Sequence, residues 1–286
     1  MAPAPARKPT KAERTAAARD REKGAREEQQ RRERRHGLLA KWGVVLAALI
    51  VVALIAVVVV NNVRGQIPDA GPAPQGGNAQ GGVTLLSTTE TAPTGTDAVD
   101  TASLPAEPAA EGTVPEGITP VSSGPLQVVA YVDVNCVHCA DFEAQHADRI
   151  GAWLDAGEIT FEYRTVAFLD RASRTDYSSR GANAAACVAD SAPGAYLDFS
   201  QRLFVHYEQG ELDDEGLVAL ADEAGAGDIS ACVEEGTYRP FVKYTTAAAQ
   251  AAAVGGTPTV YVDGVLVPDA VADFDTAVQE QLDAQG

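Results

Sequence analysis

Leu126-Gln-Val-Val-Ala-Tyr-Val-Asp-Val-Asn-Cys-Val-His-Cys139 decides how this chain is read. Residues 126–134 form a β-rich apolar run preceded by Ser123-Gly124-Pro125, which predicts a buried strand. The residues that follow predict a helix from Cys136 to about Ala156, with Phe142, Ile150 and Trp153 along one face. Cys136 therefore stands where a strand ends and a helix begins. Unpaired backbone N–H groups and the helix dipole stabilise a thiolate there. His138, as a donor or a cation, adds to that effect. A stabilised thiolate favours the reduced form, so the disulfide is a good oxidant. Cys139, one turn along, is placed to resolve a mixed disulfide. Two rivals stay open at this point. One is half of a zinc site, although tetrahedral zinc normally takes four ligands. The other is a structural Cys136–Cys139 bridge, which closes too short a loop to gain much chain entropy.

Downstream, Ile159–Phe168 reads as a second strand. Residues 178–190, 194–208, 214–225 and 229–253 read as helices punctuated by Pro193, Gly210 and Gly225–Gly227. Thr259–Val262 and Val265–Val267 predict a hairpin around Asp263-Gly264, the strongest two-residue turn signal. Residues 270–284 close the chain as a helix. The order is β-α-β, several helices, then β-β-α, an α/β fold. Just before the hairpin stands Gly255-Gly256-Thr257-Pro258. A cis Thr257–Pro258 bond would turn the Thr257 backbone toward the sulfurs and expose an edge for an extended peptide.

The strand–Cys-Val-His-Cys–helix, the helical segment and the Gly-Gly-Thr-Pro-Thr-Val-Tyr-Val-Asp-Gly stretch resemble the DsbA-like branch of the thioredoxin superfamily. The resemblance covers about residues 121–286. It implies a thioredoxin-like fold with an inserted helical domain at about 171–250. It also implies that Cys136 is the nucleophile, Cys139 the resolving cysteine and Pro258 the cis-proline, with Thr257 beside it. The strand position six before Cys136, often acidic in this family, is Ala130, which leaves the proton acceptor of Cys139 open. Asp133 is the acid nearest to Cys136 in the strand.

Cys187 and Cys232 fall in helices of the insertion. An even cysteine count outside the cytoplasm favours a structural disulfide between them. His146 reads as solvent-facing, and residues 210–216 as a solvated loop and helix start.

Charge divides the chain of 286 residues unevenly. Residues 1–41 hold 13 Lys and Arg against 6 Asp and Glu, a net +7; the other 245 hold 9 against 34, a net −25. The acidic part lacks the basic surface that nucleic-acid binding needs. Between the two regimes, Gly43–Val60 runs 18 residues without a polar side chain. As a helix it would span ~27 Å, near the thickness of a bilayer core. This predicts a basic cytoplasmic tail (1–37), a transmembrane helix in the lipid bilayer (38–62), a disordered linker (63–120) and the exported domain (121–286). A linker of that length would reach roughly 40–45 Å.

The reading that follows is a membrane-anchored, extracytoplasmic thiol–disulfide oxidoreductase. It would introduce disulfides into exported proteins with free thiols through a Cys136 mixed disulfide. A separate, unidentified membrane redox partner would reoxidise it, and no cofactor or metal is expected. The alternatives are a disulfide reductase or isomerase of exported proteins, a non-catalytic peptide-binding or chaperone module and, more weakly, metal delivery.

Overall fold

A computed structural model describes Lys23, Arg26, Val51, Val52 and residues 66–285. The expected tail (1–37) and membrane span (38–62) lie, those four residues apart, outside the described residues. Among the described residues no helix is long and apolar enough to cross a membrane. Ile67–Gly286 forms one compact unit.

The stretch from Leu126 to Cys139 builds the centre of this unit. Strand β4 (Leu126–Val132) runs parallel to β5 (Ile159–Thr165), from Leu126 opposite Ile159 to Val132 opposite Thr165. Parallel neighbours need a crossover, and helix α1 (Val137–Asp155) supplies it. On the other side β4 pairs antiparallel with β6 (Thr259–Val262), and β6 pairs with the short β7 (Val265–Leu266). The turn between β6 and β7 holds Asp263 at φ 49° and Gly264 at φ 82°. Two positive φ values in succession are what a type I′ hairpin requires.

Alternation along β4 divides the core. Leu126, Val128, Ala130 and Val132 belong to the larger apolar cluster with Phe142, Ile150, Trp153 and Leu154 of α1. Phe274 and Val278 of the last helix, α7 (Ala270–Gln285), pack into the same layer. Val129 and Tyr131 join Ile118, Val166, Ala249, Val254 and Tyr261 in the second cluster. Both faces of β4 are covered, which is why it reads as an almost unbroken apolar run.

The insertion comprises α2 (Tyr177–Ser191), α3 (Tyr196–Val205), α4 (Asp214–Glu223), α5 (Ser230–Glu235) and α6 (Arg239–Ala251). The single helix expected over 229–253 is two helices. Gly236 takes the left-handed conformation at the end of α5 (φ 62°), and Pro240 occupies the first turn of α6. Both are ordinary helix punctuation. Cys187 of α2 and Cys232 of α5 form a disulfide with a Cα–Cα distance of 6.0 Å.

The expected disordered linker (63–120) is corrected by the structure. Residues 66–120 carry strands β1 (Ala70–Pro72), β2 (Val83–Leu85) and β3 (Ala98–Asp100). β1 and β3 pair with each other, while β2 adds an antiparallel edge to β5. The five-stranded sheet is therefore ordered β2-β5-β4-β6-β7. The segment's few large apolar residues are its anchors, with Val83, Leu85, Val99 and Ile118 all buried. Contacts to the domain satisfy its backbone. Tyr244 Oη donates to the Ala79 carbonyl at 2.7 Å, and Thr245 Oγ1 donates to that of Gly81 at 2.8 Å. A Cβ on Gly82 would collide with the Glu162 carboxylate, so glycine there reflects close packing rather than flexibility.

Candidate functional site

Cys136 caps α1 with extended backbone angles (φ −103°, ψ 121°). Its N–H donates to the Asp133 carbonyl at 3.0 Å, and its own carbonyl accepts from the N–H groups of Cys139 and Ala140, both at 3.1 Å. Those bonds turn the chain from β4 into the helix and leave the first-turn N–H groups facing the sulfur. Thr257 reaches the same point from the other side of the sheet. The Thr257–Pro258 peptide bond is cis. The Cys136 thiol donates to the Thr257 carbonyl at 3.3 Å. The register of β6 against β4, with Thr259 opposite Tyr131, holds this loop beside the start of α1.

Cys136 and Cys139 are both unbridged, and their environments push them in opposite directions. The Cys136 thiol is lowered from 9.0 to about 5. The main cause is a hydrogen bond from Cys139. Thr257 and the backbone N–H groups of Cys139 and His138 add to it, against the opposing effect of burial. Cys139 is fully buried, and that burial, with the hydrogen bond and charge of Cys136, pushes its thiol well above the ordinary range. The pair is thus held as one thiolate and one thiol.

The His138 imidazole is exposed and lies 3.7 Å from Asp141. The backbone N–H of this residue, rather than the ring expected from the sequence, supports the Cys136 sulfur. Asp133 is wholly buried, and its carboxylate oxygens accept from the N–H groups of Asn135 (2.9 Å) and Leu169 (3.0 Å). Desolvation raises its pKa, and the nearby Cys136 charge contributes in the same direction. Asn135 also donates to Glu211 at 3.2 Å, and Glu211 accepts from Thr175 at 2.7 Å. The loop before Cys136 is thereby tied to the insertion.

Two buried polar residues on α1 escaped sequence reasoning. His146, expected to face solvent, is buried; Nδ1 lies 2.8 Å from Asp275 and Nε2 2.9 Å from the Val271 carbonyl. Glu143 is also buried and accepts from the Tyr163 hydroxyl at 2.8 Å. Its spacing of four from Cys139 was the available signal, because residues four apart share a helix face. Among the described residues, no group of three or more His, Cys, Asp or Glu is placed to hold a metal ion.

The sequence model of a family described as thioredoxin matches residues 122–282. No curated protein sequence matches significantly. Several solved structures are similar. The MdbA protein of Actinomyces oris, described as a thiol-disulfide oxidoreductase, is 24% identical, with a TM-score of 0.53 over 72% of this chain and 92% of that one. BdbD of Bacillus subtilis in its oxidised form is 20% identical, with a TM-score of 0.50 over 62% of this chain and 96% of that one. Oxidised DsbA of Mycobacterium tuberculosis is 28% identical, with a TM-score of 0.48 over 63% of this chain and 95% of that one. The likeness to MdbA shows a shared fold.

Proposed function

The chain belongs to the thioredoxin family, and from that premise we propose that it is a thiol–disulfide oxidoreductase that introduces disulfides into exported proteins through a mixed disulfide at Cys136. The observation that carries this reading is the split between the two sulfurs: Cys136 favours the thiolate at about 5, while Cys139 stays a buried thiol. In the oxidised enzyme a substrate thiolate attacks the Cys136 sulfur. The Cys136–Cys139 bond breaks, and Cys139 leaves and takes up a proton. A second substrate thiolate then attacks the substrate sulfur of the mixed disulfide, and Cys136 departs as a thiolate. The substrate gains one disulfide, and the enzyme carries away the two electrons. A thiolate stable near pH 5 is a good leaving group at neutral pH, which favours this direction.

The setting belongs to the same proposal. The basic residues 1–41 followed by the apolar run 43–60 support a single anchor with the N-terminus inside and the thioredoxin unit outside. Exported chains with free thiols are then the substrates, and an oxidant at the membrane restores the disulfide. Residues 66–120 belong to the folded unit, so they are not the tether of this proposal.

A reductase or isomerase role for the same pair is separated by its reduction potential. An oxidase lies nearer about −120 mV than the roughly −270 mV of a reducing dithiol. In the oxidation of a reduced, unfolded protein, Cys136→Ser is expected to abolish turnover and Cys139→Ala to accumulate mixed disulfides visible on non-reducing gels. Undiminished turnover in Cys136→Ser overturns the proposal.

A further inference from the structure

Arg164 on β5 carries more hydrogen-bonding capacity than the fold uses. Its side chain is only 2% exposed. Nε donates to Glu162 at 2.6 Å, and Nη1 donates to the Tyr131 hydroxyl at 2.7 Å and to the Glu116 carbonyl at 3.1 Å. Nη2 is buried and has no hydrogen-bond partner among the described residues. Tyr131 Oη accepts from Arg164, so its own proton is left to donate. A buried donor without an acceptor is costly, and each one in a folded protein calls for an explanation.

Arg164 and Tyr131 both line a cavity of about 320 Å³ between the 66–120 segment and α6. Its walls are apolar, with Leu104, Ala109 and Val114 on one side and Ala248 and Ala251 on the other. The Ala109 N–H donates to the Ala251 carbonyl at 2.7 Å and ties the two walls together. Tyr244, also in the lining, already donates its hydroxyl to Ala79. The other polar lining residues, Gln80, Thr113 and Glu116, are half-buried or exposed. Two buried donors in an otherwise apolar chamber are the pattern of a small-molecule site. The lining includes neither Cys136 nor Thr257 and Pro258, so this chamber is separate from the sulfur site.

We propose that the chamber binds an uncharged, largely apolar small molecule through one carbonyl oxygen, which accepts from Arg164 Nη2 and Tyr131 Oη. The inference goes beyond the thiol–disulfide reading and does not depend on it. A carbonyl oxygen has two lone pairs and satisfies both donors at once. Charge selects against a carboxylate. The guanidinium is already balanced by the buried Glu162, and Glu116 adds a second acid to the lining. An anion would therefore leave a surplus buried negative charge, whereas a carbonyl adds none. Volume sets the size. An apolar cavity of about 150 Å³ accommodates benzene, so this one holds about a dozen non-hydrogen atoms.

The test titrates the full chain, held in lipid nanodiscs, with benzylacetone, a phenyl ketone of this size, and follows binding by ligand-observed NMR. Two analogues isolate the carbonyl: hydrocinnamate replaces it with a carboxylate, and butylbenzene has no oxygen. Ala248→Leu fills the chamber and serves as the blank for partition into lipid. Benzylacetone should saturate the wild type with Kd on the order of 0.1–1 mM, about 10-fold tighter than either analogue, and should not saturate Ala248→Leu. Tyr131→Phe should weaken benzylacetone about 5-fold and leave butylbenzene unchanged, a split that a merely disturbed chamber would not give. Benzylacetone that fails to saturate the wild type, or saturates Ala248→Leu equally, overturns the inference. Hydrocinnamate or butylbenzene binding as tightly as the ketone overturns the carbonyl assignment, and so does a Tyr131→Phe protein that binds benzylacetone as well as the wild type.

Discussion

Two cysteine pairs occupy helices of the same folded unit, and position rather than residue type separates them. Cys136 and Cys139 sit three apart at the open end of α1, where backbone N–H groups have no carbonyl partners and turn to the sulfur. Cys187 sits inside α2, where the helix's own carbonyls take those groups, and it is bridged to Cys232 on α5, 45 residues away. At a helix start the charged form of sulfur is stabilised, and the bond it makes is easily exchanged. Inside α2 the charged form of Cys187 has no such support, and its bond to Cys232, in the first turn of the short α5, serves as a fixed link between the two helices.

The largest effect that would break this contrast comes from the link. Replacing Cys187 and Cys232 together by Ala is expected to lower the unfolding free energy by about 4 kcal/mol in the chain-entropy description of a 45-residue loop. Denaturant unfolding reads that loss. The Cys136 absorbance titration should meanwhile stay near about 5. Unchanged stability, or a displaced titration, would mean that the two pairs are not separate devices.

A smaller effect tests where the unit begins. Leu85 is fully buried on β2, opposite Phe161 of β5. Leu85→Ala should cost about 3 kcal/mol, in the range for a buried leucine that leaves a cavity. A true spacer would tolerate the change at no cost. Because β2 supports the sheet under both redox states, the loss should be the same with Cys136–Cys139 open or closed, unlike the pH effect below.

The sequence disclosed some parts more readily than others, for physical reasons. β4, α1 and the β6–β7 hairpin were legible because each carries a local rule: an apolar run, a helical stripe, an Asp-Gly turn. Cys136, Cys139, Thr257 and Pro258 were legible as a constellation, and the fold brings Thr257 to within 3.3 Å of Cys136. Residues 66–120 were misread because their order is imposed from outside. Three-residue strands have no periodicity to detect, and their glycines mark close approach to Thr245 and Glu162. The solvent-facing reading of His146 fails, and Glu143 goes unmarked, because a polar residue on a buried face is explained only by a partner on another element, here Asp275 and Tyr163. The His138 ring, expected to support Cys136, is exposed beside Asp141, and the backbone N–H of the same residue reaches the sulfur instead.

The finest test uses pH to isolate the thiolate. In the reduced protein Cys136 titrates at about 5 when folded, against 9.0 for the unpaired thiol. Between those values the folded state holds fewer protons than the unfolded one, so stability rises with pH across the window. The contribution is complete above pH 9 and is lost as pH falls through about 5. At pH 7 about half the window has been crossed, which corresponds to about 2–3 kcal/mol. Cys136 lies at the edge of the core, and screening by the adjoining solvent lowers that figure. The oxidised protein has no such thiol and should lack the slope. Asp133 and Glu143, both raised, slope the other way and lower stability as pH rises; what burial does to them is common to both redox states and cancels, whereas the part of the Asp133 shift due to the Cys136 charge, and the raised Cys139 thiol near pH 9, act only in the reduced form and trim its gain. Urea unfolding of the two forms at pH 4.5, 7 and 8.5, with Cys187–Cys232 intact, should therefore show the reduced form gaining on the oxidised form as pH rises. A gap that stays flat would mean that the helix start does not hold Cys136 as a thiolate. The contrast between the two pairs would then rest on spacing alone.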